Sequence, residues 1–259
     1  MKKVNYIIVG FLFCNSLLLA QNNRLNTGET IGWYNYFGTF KVSTKWGVHS
    51  EYQFRRAEVI AQPQQHLVRV GINYEPKSNI LFRAGYAFIE TYPYGEIPIN
   101  GLGKAFTEHR TFQMVQLGHK EGKINFSHRF MLEQRFVGRY NNAMATTEDE
   151  FPFSNRLRYM FRMQTPIFQK EAHQFTYAAA YNEIFIGFGK NVNANVFDQN
   201  RLGLLIGHQF DKNLRIEAGY LNQILQFGRQ INNQNVFQNN HGLIVNCYLN
   251  VDLSKKSGV

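Results

Sequence analysis

The chain has 259 residues, and 28 Lys and Arg against 18 Asp and Glu give it a formal net charge of +10. Its mean hydropathy is −0.35, and after residue 20 no stretch holds the ~18 uninterrupted apolar residues of a transmembrane helix, which excludes a helical membrane protein. An aromatic content of 15% with only 18% charged residues excludes a disordered chain. The length fits one all-β domain.

The first twenty residues have the composition of a cleaved secretory signal. Two lysines precede an apolar stretch that ends at Ala20, and the chain turns polar at Gln21. A short basic segment, an apolar segment and a small residue before a polar start are typical of exported proteins. We therefore predict a signal peptide over residues 1–20 and a mature domain over residues 21–259, with an N-terminal core helix as the alternative. Cys247 is then the one remaining thiol, which rules out an internal disulfide.

From residue 31 onward the hydrophobic pattern has the two-residue period of β-strands. In the last segment Leu243, Val245 and Leu249 fall on one face, and Asn246 and Asn250 fall on the other. Most segments exceed the ~5–6 residues usual for strands of soluble proteins and match the ~9–11 residues with which a tilted strand crosses a bilayer. The eleven predicted strands are 31–40, 44–56, 65–75, 80–92, 109–120, 123–138, 154–166, 173–188, 198–210, 214–227 and 239–253.

The connecting segments alternate in length. Short ones follow the odd-numbered strands, at 41–43, 76–79, 121–122, 167–172 and 211–213. Long polar ones follow the even-numbered strands, at 57–64, 93–108, 140–153, 189–197 and 228–238. Outer-membrane barrels have short periplasmic turns and longer external loops, so this alternation favours such a barrel over a soluble sandwich or a lipocalin-like binder.

The predicted fold is therefore all-β, a single antiparallel up-and-down transmembrane β-barrel of about 12 strands, with a range of 10–12. Bacterial single-chain barrels have even strand numbers, whereas eleven segments are recognised. We expect residues 21–30 to supply a short twelfth strand that closes the barrel against residues 239–253.

Twelve of the fifteen arginines lie in the predicted strands. An arginine that faces lipid costs ~2–4 kcal/mol near the bilayer midplane, and most of these arginines have the parity opposite to the aromatic residues. They are expected to face inward, where glutamates can pair with their planar guanidinium groups. The polar face of a water-soluble sheet is the alternative. The predicted lumen charge network, structural or pore-lining in role, comprises Glu51, Arg55, Arg69, Arg83, Arg129, Glu133, Arg135, Arg156, Arg158, Arg162, Glu183, Arg201, Arg215 and Glu217.

A series of short motifs extends along nearly the whole mature chain. In chain order they are Trp33, Lys45-Trp46, Glu51, Arg55-Arg56, His66, Arg69, Gly71, Tyr74, Gly85-Tyr86, Glu108-His109-Arg110, Glu133, Arg135, Arg156-Leu157-Arg158-Tyr159, Asn182-Glu183, Phe197-Asp198-Gln199-Asn200-Arg201, Glu217 and Gly219-Tyr220. With this order and spacing the chain resembles the bacterial family of domain of unknown function 2490, which is grouped with outer-membrane β-barrels. The resemblance implies an envelope barrel, commonly from Bacteroidota. It implies no activity and no catalytic residues.

Catalytic chemistry finds little support in the sequence. Ser127-His128 is an adjacent Ser/His pair, but neighbours on a strand point to opposite faces and cannot form a nucleophile–base pair. Asn182-Glu183 interrupts an apolar alternation and predicts a β-bulge, a feature that can re-aim a side chain near a site. The eight histidines show no HxH or HxxxH spacing, so neither a metal site nor a cofactor is predicted.

The predicted function is that of a non-enzymatic outer-membrane barrel with a structural, binding or narrow transport role. A lipid-modifying barrel enzyme is the alternative, and it would need Asn, His and Ser side chains gathered on one face. The expected partners are outer-membrane lipid, lipopolysaccharide at the external loops, and the barrel-assembly machinery that inserts such proteins. Nucleic acid is not expected, because the predicted signal directs export and the arginines are spread over many strands.

Overall fold

The computed structural model describes residues 24–171, 173–192 and 195–254, and the regular structure in these ranges consists of β-strands. No helix in this part of the chain is long and apolar enough to cross a membrane. The predicted signal peptide lies outside the described residues. The strands are β1 Arg24–Thr27, β2 Thr30–Lys41, β3 Trp46–Ala57, β4 Gln62–Lys77, β5 Ile80–Thr91, β6 Phe106–Glu121, β7 Ile124–Val137, β8 Phe153–Glu171, β9 Gln174–Phe188, β10 Phe197–Gln209, β11 Leu214–Ile231 and β12 Gln234–Asp252.

Strands β2 to β12 form a closed barrel in which consecutive strands pair in antiparallel fashion. The ring closes where β2 pairs with β12, and this pair is parallel. The first and last strands of an up-and-down chain with eleven strands run in the same direction, so a parallel closing pair follows from the odd number. With β1 the described chain has twelve strands, and the predicted all-β barrel is confirmed.

The N-terminal segment pairs with the last strand as expected, but it does not close the barrel. Residues Arg24–Thr27 pair in parallel with residues 235–238, next to the contact between β2 and β12. β1 therefore runs in the same direction as β2 and lengthens its edge, and the prediction that residues 21–30 form the closing strand is wrong. The physical reason is that β12 begins earlier than predicted and offers β1 an unpaired edge.

The two ends of the barrel differ in their connections. One end, the turn end, carries the short connections 42–45, 78–79, 122–123, 172–173 and 210–213. The opposite end, the loop end, carries the long loops 92–105, 138–152 and 189–196 together with two tight turns. The predicted alternation thus holds for three of the five long connections.

Two of the predicted long loops are instead short turns. The segment 228–238 is mostly strand, because β11 and β12 continue to a two-residue turn at Asn232 and Asn233, whose φ angles are 49° and 60°. Asparagine adopts positive φ readily and suits such a hairpin turn. The asparagines of 228–238 therefore belong to a tight turn and not to a long loop. The segment 57–64 is likewise shortened, and the predicted turn 167–172 is largely strand because β8 extends to Glu171.

The outer wall carries an apolar band between two aromatic girdles. Val68, Val70 and Ile72 in β4 are about half exposed on this wall. Packed rings near the loop end include Phe54, His66, Tyr92, Phe88, His109, Phe136 and Phe153. Packed rings near the turn end include Trp46, Tyr74, Phe82, His119, Phe126, Phe161, His208 and Phe210. The nine residues from Trp46 to Phe54 in β3 are separated by eight steps of ~3.3 Å and span ~26 Å along the strand.

Closure of the barrel depends on a close approach of two backbones at Gly242 in β12. A Cβ added to Gly242 would lie 1.7 Å from the carbonyl oxygen of Ile31 in β2. We therefore predict that Gly242→Ala disturbs the closing pair and lowers the free energy of unfolding by at least the ~1–3 kcal/mol typical of overpacking. The unfolding midpoint of the purified barrel in detergent measures this loss.

Gly228→Ala in β11 is the matched control, because nothing lies within 4 Å of a Cβ added at Gly228. Its unfolding midpoint should stay close to that of the unmodified protein. Equal losses in the two variants would contradict the role of the closing pair.

Candidate functional site: a charged lumen with a cavity at the loop end

Strand alternation directs the fourteen predicted network residues into the barrel interior. The interior is rich in Arg and Glu, as the sequence predicts, and the side chains pack so closely that Glu133, Glu217 and Tyr177 have 0% exposure. Apolar side chains occupy the space on one side of the charges, in a cluster made of Ile31, Trp33, Tyr177, Ala179, Leu205, Leu221 and Ile244. A smaller apolar cluster contains Phe112, Met114 and Met131.

Glu133 in β7 is the centre of the network. Its carboxylate accepts hydrogen bonds from Arg156 at 2.6 Å and from Arg158 at 2.8 Å, both on the neighbouring strand β8. Arg110 and Arg69 approach the same carboxylate at 3.7 and 3.9 Å. Four guanidinium groups therefore surround one buried carboxylate, and their attraction offsets the cost of removing its charge from water.

Glu183 in β9 extends the network to the other side of β8. Its carboxylate accepts hydrogen bonds from Arg129 and Arg158, each at 2.8 Å. Arg158 thus bridges Glu133 and Glu183 and joins β7, β8 and β9 through one guanidinium group. Arg158 can therefore pair with both carboxylates only when β7, β8 and β9 keep this register.

A third buried carboxylate, Glu51 in β3, lies on the side of the barrel opposite β8. Arg69 in β4 donates to Glu51 at 2.8 Å, and the His49 ring nitrogen Nε2 lies 3.1 Å from the same carboxylate. Arg83 in β5 has no carboxylate partner among the described residues, and its Nε donates to the Asn73 side-chain oxygen at 2.6 Å.

Glu217 in β11 closes the network near the turn end. It accepts hydrogen bonds from Arg162 at 2.5 Å, from the Tyr177 hydroxyl at 2.7 Å and from the Tyr248 hydroxyl at 3.1 Å. Arg215 lies over the Tyr248 ring with its guanidinium carbon 4.0 Å from the ring centroid. Because β8, β9 and β12 all meet Glu217, these contacts cross the lumen and do not merely follow the wall.

Three members of the network were not predicted as site residues. Glu108 accepts hydrogen bonds from Arg110 and Arg135, each at 2.5 Å, and Asp198 accepts one from Arg156 at 2.6 Å. The predicted strand began at residue 109, which left Glu108 in a loop although it shares the parity of Arg110. The structure begins β6 at Phe106, and this boundary places Glu108 on the inward face. Arg110 lay in the predicted strand but was left out of the predicted network.

Asp198 was missed because of a β-bulge that was predicted on the wrong strand. The pairing of β8 with β9 is continuous through Asn182-Glu183, so the bulge predicted there is wrong. The bulge lies on the next strand, β10, where Asp198 is the extra residue between two paired positions. It turns Asp198 inward to Arg156 and to Arg135, whose Nη1 lies 3.3 Å from the carboxylate. In β9 the parity does not shift, because Ala179, Glu183 and Phe185 are all buried on one face, and Glu183 is a charged residue on that otherwise apolar face.

The interior opens into a cavity of 570 Å³ at the loop end. This volume lies within the ~300–1,000 Å³ range of small-molecule sites. The arginines that line the cavity are Arg55, Arg110, Arg135, Arg139, Arg156, Arg201 and Arg229. Its acidic lining residues are Glu108 and Asp198, so its wall is strongly positive.

The loop between β5 and β6 is tied into this cavity. Tyr94 is 4% exposed, its hydroxyl donates to the Gln238 side-chain oxygen at 2.8 Å, and it accepts from Asn240 at 3.3 Å. Burial raises the pKa of the Tyr94 hydroxyl, which therefore stays neutral and able to donate. Arg229 in β11 donates to the carbonyl oxygen of Pro98 at 2.8 Å and holds the same loop.

The comparison with known families agrees with this architecture. Residues 30–235 match the family described as "Protein of unknown function (DUF2490)", which is well over half of the chain. The chain belongs to the DUF2490 family. The resemblance inferred from the sequence motifs is thereby confirmed. No match is found among curated proteins.

The Ser/His pair of this DUF2490 barrel does not form a catalytic arrangement. His128 lies on the outer wall, where its ring centroid is 5.7 Å from that of His119 and 5.1 Å from that of Phe161. Ser127 precedes it on the strand and has the opposite parity. Among the described residues, no group of three or more His, Cys, Asp and Glu side chains could hold a metal ion.

We predict that Glu133→Ala strongly destabilises the DUF2490 barrel. The variant leaves Arg156 and Arg158 buried without their shared carboxylate, and breaking a buried ion pair costs ~3–5 kcal/mol. Chemical unfolding of the refolded protein in detergent measures the loss. Glu121→Ala at the exposed end of β6 is the matched control and should change stability little. Similar losses in both variants would refute the central role of Glu133.

Proposed function

We propose that this DUF2490 protein spans a bacterial outer membrane as a non-enzymatic β-barrel with a closed lumen, and that it binds a small solute at its loop end. The observation that carries the proposal is the division of the interior into a packed ion-pair network and a 570 Å³ cavity beside the long loops. A packed network opposes free passage, whereas a cavity of this size accommodates a ligand.

The outer wall supports membrane insertion. Outer-membrane barrels present an apolar band ~25 Å tall between aromatic girdles. Val48, Val70 and Leu204 are among the exposed apolar side chains of the band, and the two ring girdles flank it. Eleven arginines of the strands turn inward, away from the face where they would cost ~2–4 kcal/mol, and Arg56 on the outer face lies at the loop end of β3. A soluble binder would have no use for so large an exposed apolar surface.

The proposed orientation follows from loop length. Long loops of such barrels face the exterior and short turns face the periplasm. The long loops 92–105 and 138–152 would then face outside, together with the N-terminal end of β1. The cavity would open toward the medium, and lipopolysaccharide would surround the loop-end girdle. Insertion would require the barrel-assembly machinery, as for other outer-membrane barrels.

A binding role fits the interior better than the alternative of a lipid-modifying enzyme. Ser127 and His128 point to opposite sides of the wall, so they cannot act together on a lipid. The inward carboxylates are engaged by arginines, as Glu133 and Glu183 show. A carboxylate held by several cations is a poor general base.

Cysteine labelling tests the orientation. On a Cys247→Ala background, a cysteine at the exposed loop residue Asn142 should react with an impermeant maleimide in intact cells. A cysteine at Lys212 in a turn-end connection should react only after the outer membrane is opened. The reverse pattern, or labelling of both in intact cells, would contradict the proposed orientation.

Bilayer recordings test the closed lumen. The purified protein should give no step-like conductance in planar bilayers, because Glu217 with Arg162 and Glu133 with Arg69 connect strands across the interior. Heat-modifiable mobility in an SDS gel provides the control that the inserted protein is a folded barrel. Reproducible conductance steps from heat-modifiable protein would refute the closed lumen.

A further inference from the structure

The charges that face the barrel interior do not balance. Eleven inward arginines stand against seven inward carboxylates in the described strands, so the arginines outnumber the carboxylates by four. The arginines are Arg55, Arg69, Arg83, Arg110, Arg129, Arg135, Arg156, Arg158, Arg162, Arg201 and Arg215. The carboxylates are Glu51, Glu75, Glu108, Glu133, Glu183, Asp198 and Glu217. Buried cations without counter-charges are unfavourable, so an excess of this size favours the binding of an anion.

Part of this excess lies at the cavity, on Arg55 and Arg201. Arg55 is buried, and all three of its guanidinium nitrogens donate to neutral side-chain oxygens, Nε and Nη2 to Gln53 and Nη1 to Gln65; it forms no ion pair with a described residue. Arg201 is 8% exposed, and its Nε donates to Gln199 at 3.0 Å. Its nearest carboxylate, that of Glu183, is 3.9 Å from Nη1. The two terminal nitrogens of Arg201 thus donate no hydrogen bond to the described chain.

Arg55 and Arg201 lie on the same indole. Their guanidinium carbons are 3.9 and 4.7 Å from a ring centroid of Trp33, and both residues line the cavity. Trp33 is itself fixed, since its Nε1 donates to Gln64 at 2.8 Å. Two guanidinium groups of like charge are thereby held at one indole, and an anion bound to both would offset their repulsion.

Three of the other five arginines of the cavity have acidic partners. Arg110 and Arg135 share the carboxylate of Glu108, and Arg156 pairs with Asp198. Arg229 donates to the carbonyl oxygens of Pro98 and Ile99. Among the strand arginines of the cavity, Arg201 therefore keeps both terminal nitrogens for a ligand, and Arg55, whose donors meet only neutral glutamines, keeps an uncompensated charge.

We propose that the cavity binds the oxyanion group of a small free solute, a phosphate, sulfate or carboxylate, between Arg55 and Arg201 beside Trp33. This inference rests on the proposed function, in that it names the ligand class of the loop-end cavity. The planar fork of a guanidinium matches such groups with paired hydrogen bonds. Gln64 and Gln223 on the same cavity wall supply amides that suit the uncharged part of the solute.

Trp33 provides a direct readout of this site. The chain has two tryptophans, and Trp46 lies on the outer wall at 50% exposure, so a Trp46→Phe variant leaves Trp33 as the one reporter. Inorganic phosphate, sodium sulfate and sodium succinate would each be titrated into the refolded barrel in detergent, with sodium chloride at matched ionic strength. We expect a saturable change in Trp33 emission with at least one of the three oxyanions and not with chloride.

Substitutions assign the response to the arginine pair. Arg201→Gln and Arg55→Gln should each raise the half-saturating oxyanion concentration at least tenfold. Arg56→Gln, on the outer face of β3 next to Arg55, should leave it unchanged. Arg201→Lys keeps the charge but loses the fork, so it should bind more weakly than the unmodified protein. A response that follows ionic strength alone, or that is unchanged in all inward variants, would overturn the proposal.

Thermal unfolding gives a second measurement that does not rely on fluorescence. The bound oxyanion should raise the unfolding midpoint of the unmodified protein, because a ligand that binds only the folded state stabilises it. Without anion, Arg201→Gln should unfold no earlier than the unmodified protein, since it relieves repulsion with Arg55. An Arg201→Gln midpoint that still rises with the oxyanion would contradict the site.

The two proposals can fail separately. A non-conducting barrel that labels in the expected orientation but shows no oxyanion response would overturn the ligand class and leave the proposed function standing. A Trp33 response from protein that does not fractionate with the outer membrane would overturn the proposed placement and leave the anion site standing.

Discussion

The structure of this barrel depends on one interaction, the pairing of planar guanidinium groups with carboxylates that have been removed from water. Glu133 is acceptable in the interior only because Arg156 and Arg158 from β8, with Arg110 from β6, meet it. Loss of any partner leaves the others uncompensated, so the network holds the register of neighbouring strands as well as filling the lumen. A one-residue slip would send every charge of a strand to the apolar outer wall.

Much of this arrangement could be predicted from strand parity, since parity alone assigns Glu51, Glu183 and Glu217 to the interior. What parity cannot show is where the pattern shifts. The bulge at Asp198 and the strand start before Glu108 depend on pairing with a neighbouring strand, and no local signal marks them. Which carboxylate meets which arginine is also a tertiary property, because Arg162 reaches Glu217 across the lumen and not on an adjacent strand.

The position of β1 was not predicted for the same reason. Residues 228–238 were interpreted as a loop, so the edge at 235–238 that pairs with β1 was not part of the predicted last strand. The longer β11 carries the wall past the cavity and provides Gly228 and Arg229 to its lining, and the longer β12 provides Gln238, which accepts the hydrogen bond of Tyr94. The loop end is therefore a continuation of the barrel with a polar lining, which explains how a cavity can form above a filled lumen.

Stability alone does not account for the arginines at the cavity. Replacing buried ion pairs by apolar side chains is often neutral or stabilising, and this chain already fills part of its lumen in that way with Leu205, Leu221 and Ile244. Near the turn end, Glu217 lies against Arg162 and two tyrosine hydroxyls, so the charge there has partners. At the cavity, Arg55 has none that is acidic. An unfavourable charge kept at the accessible end of a filled barrel is the arrangement expected where the missing counter-charge comes from a ligand.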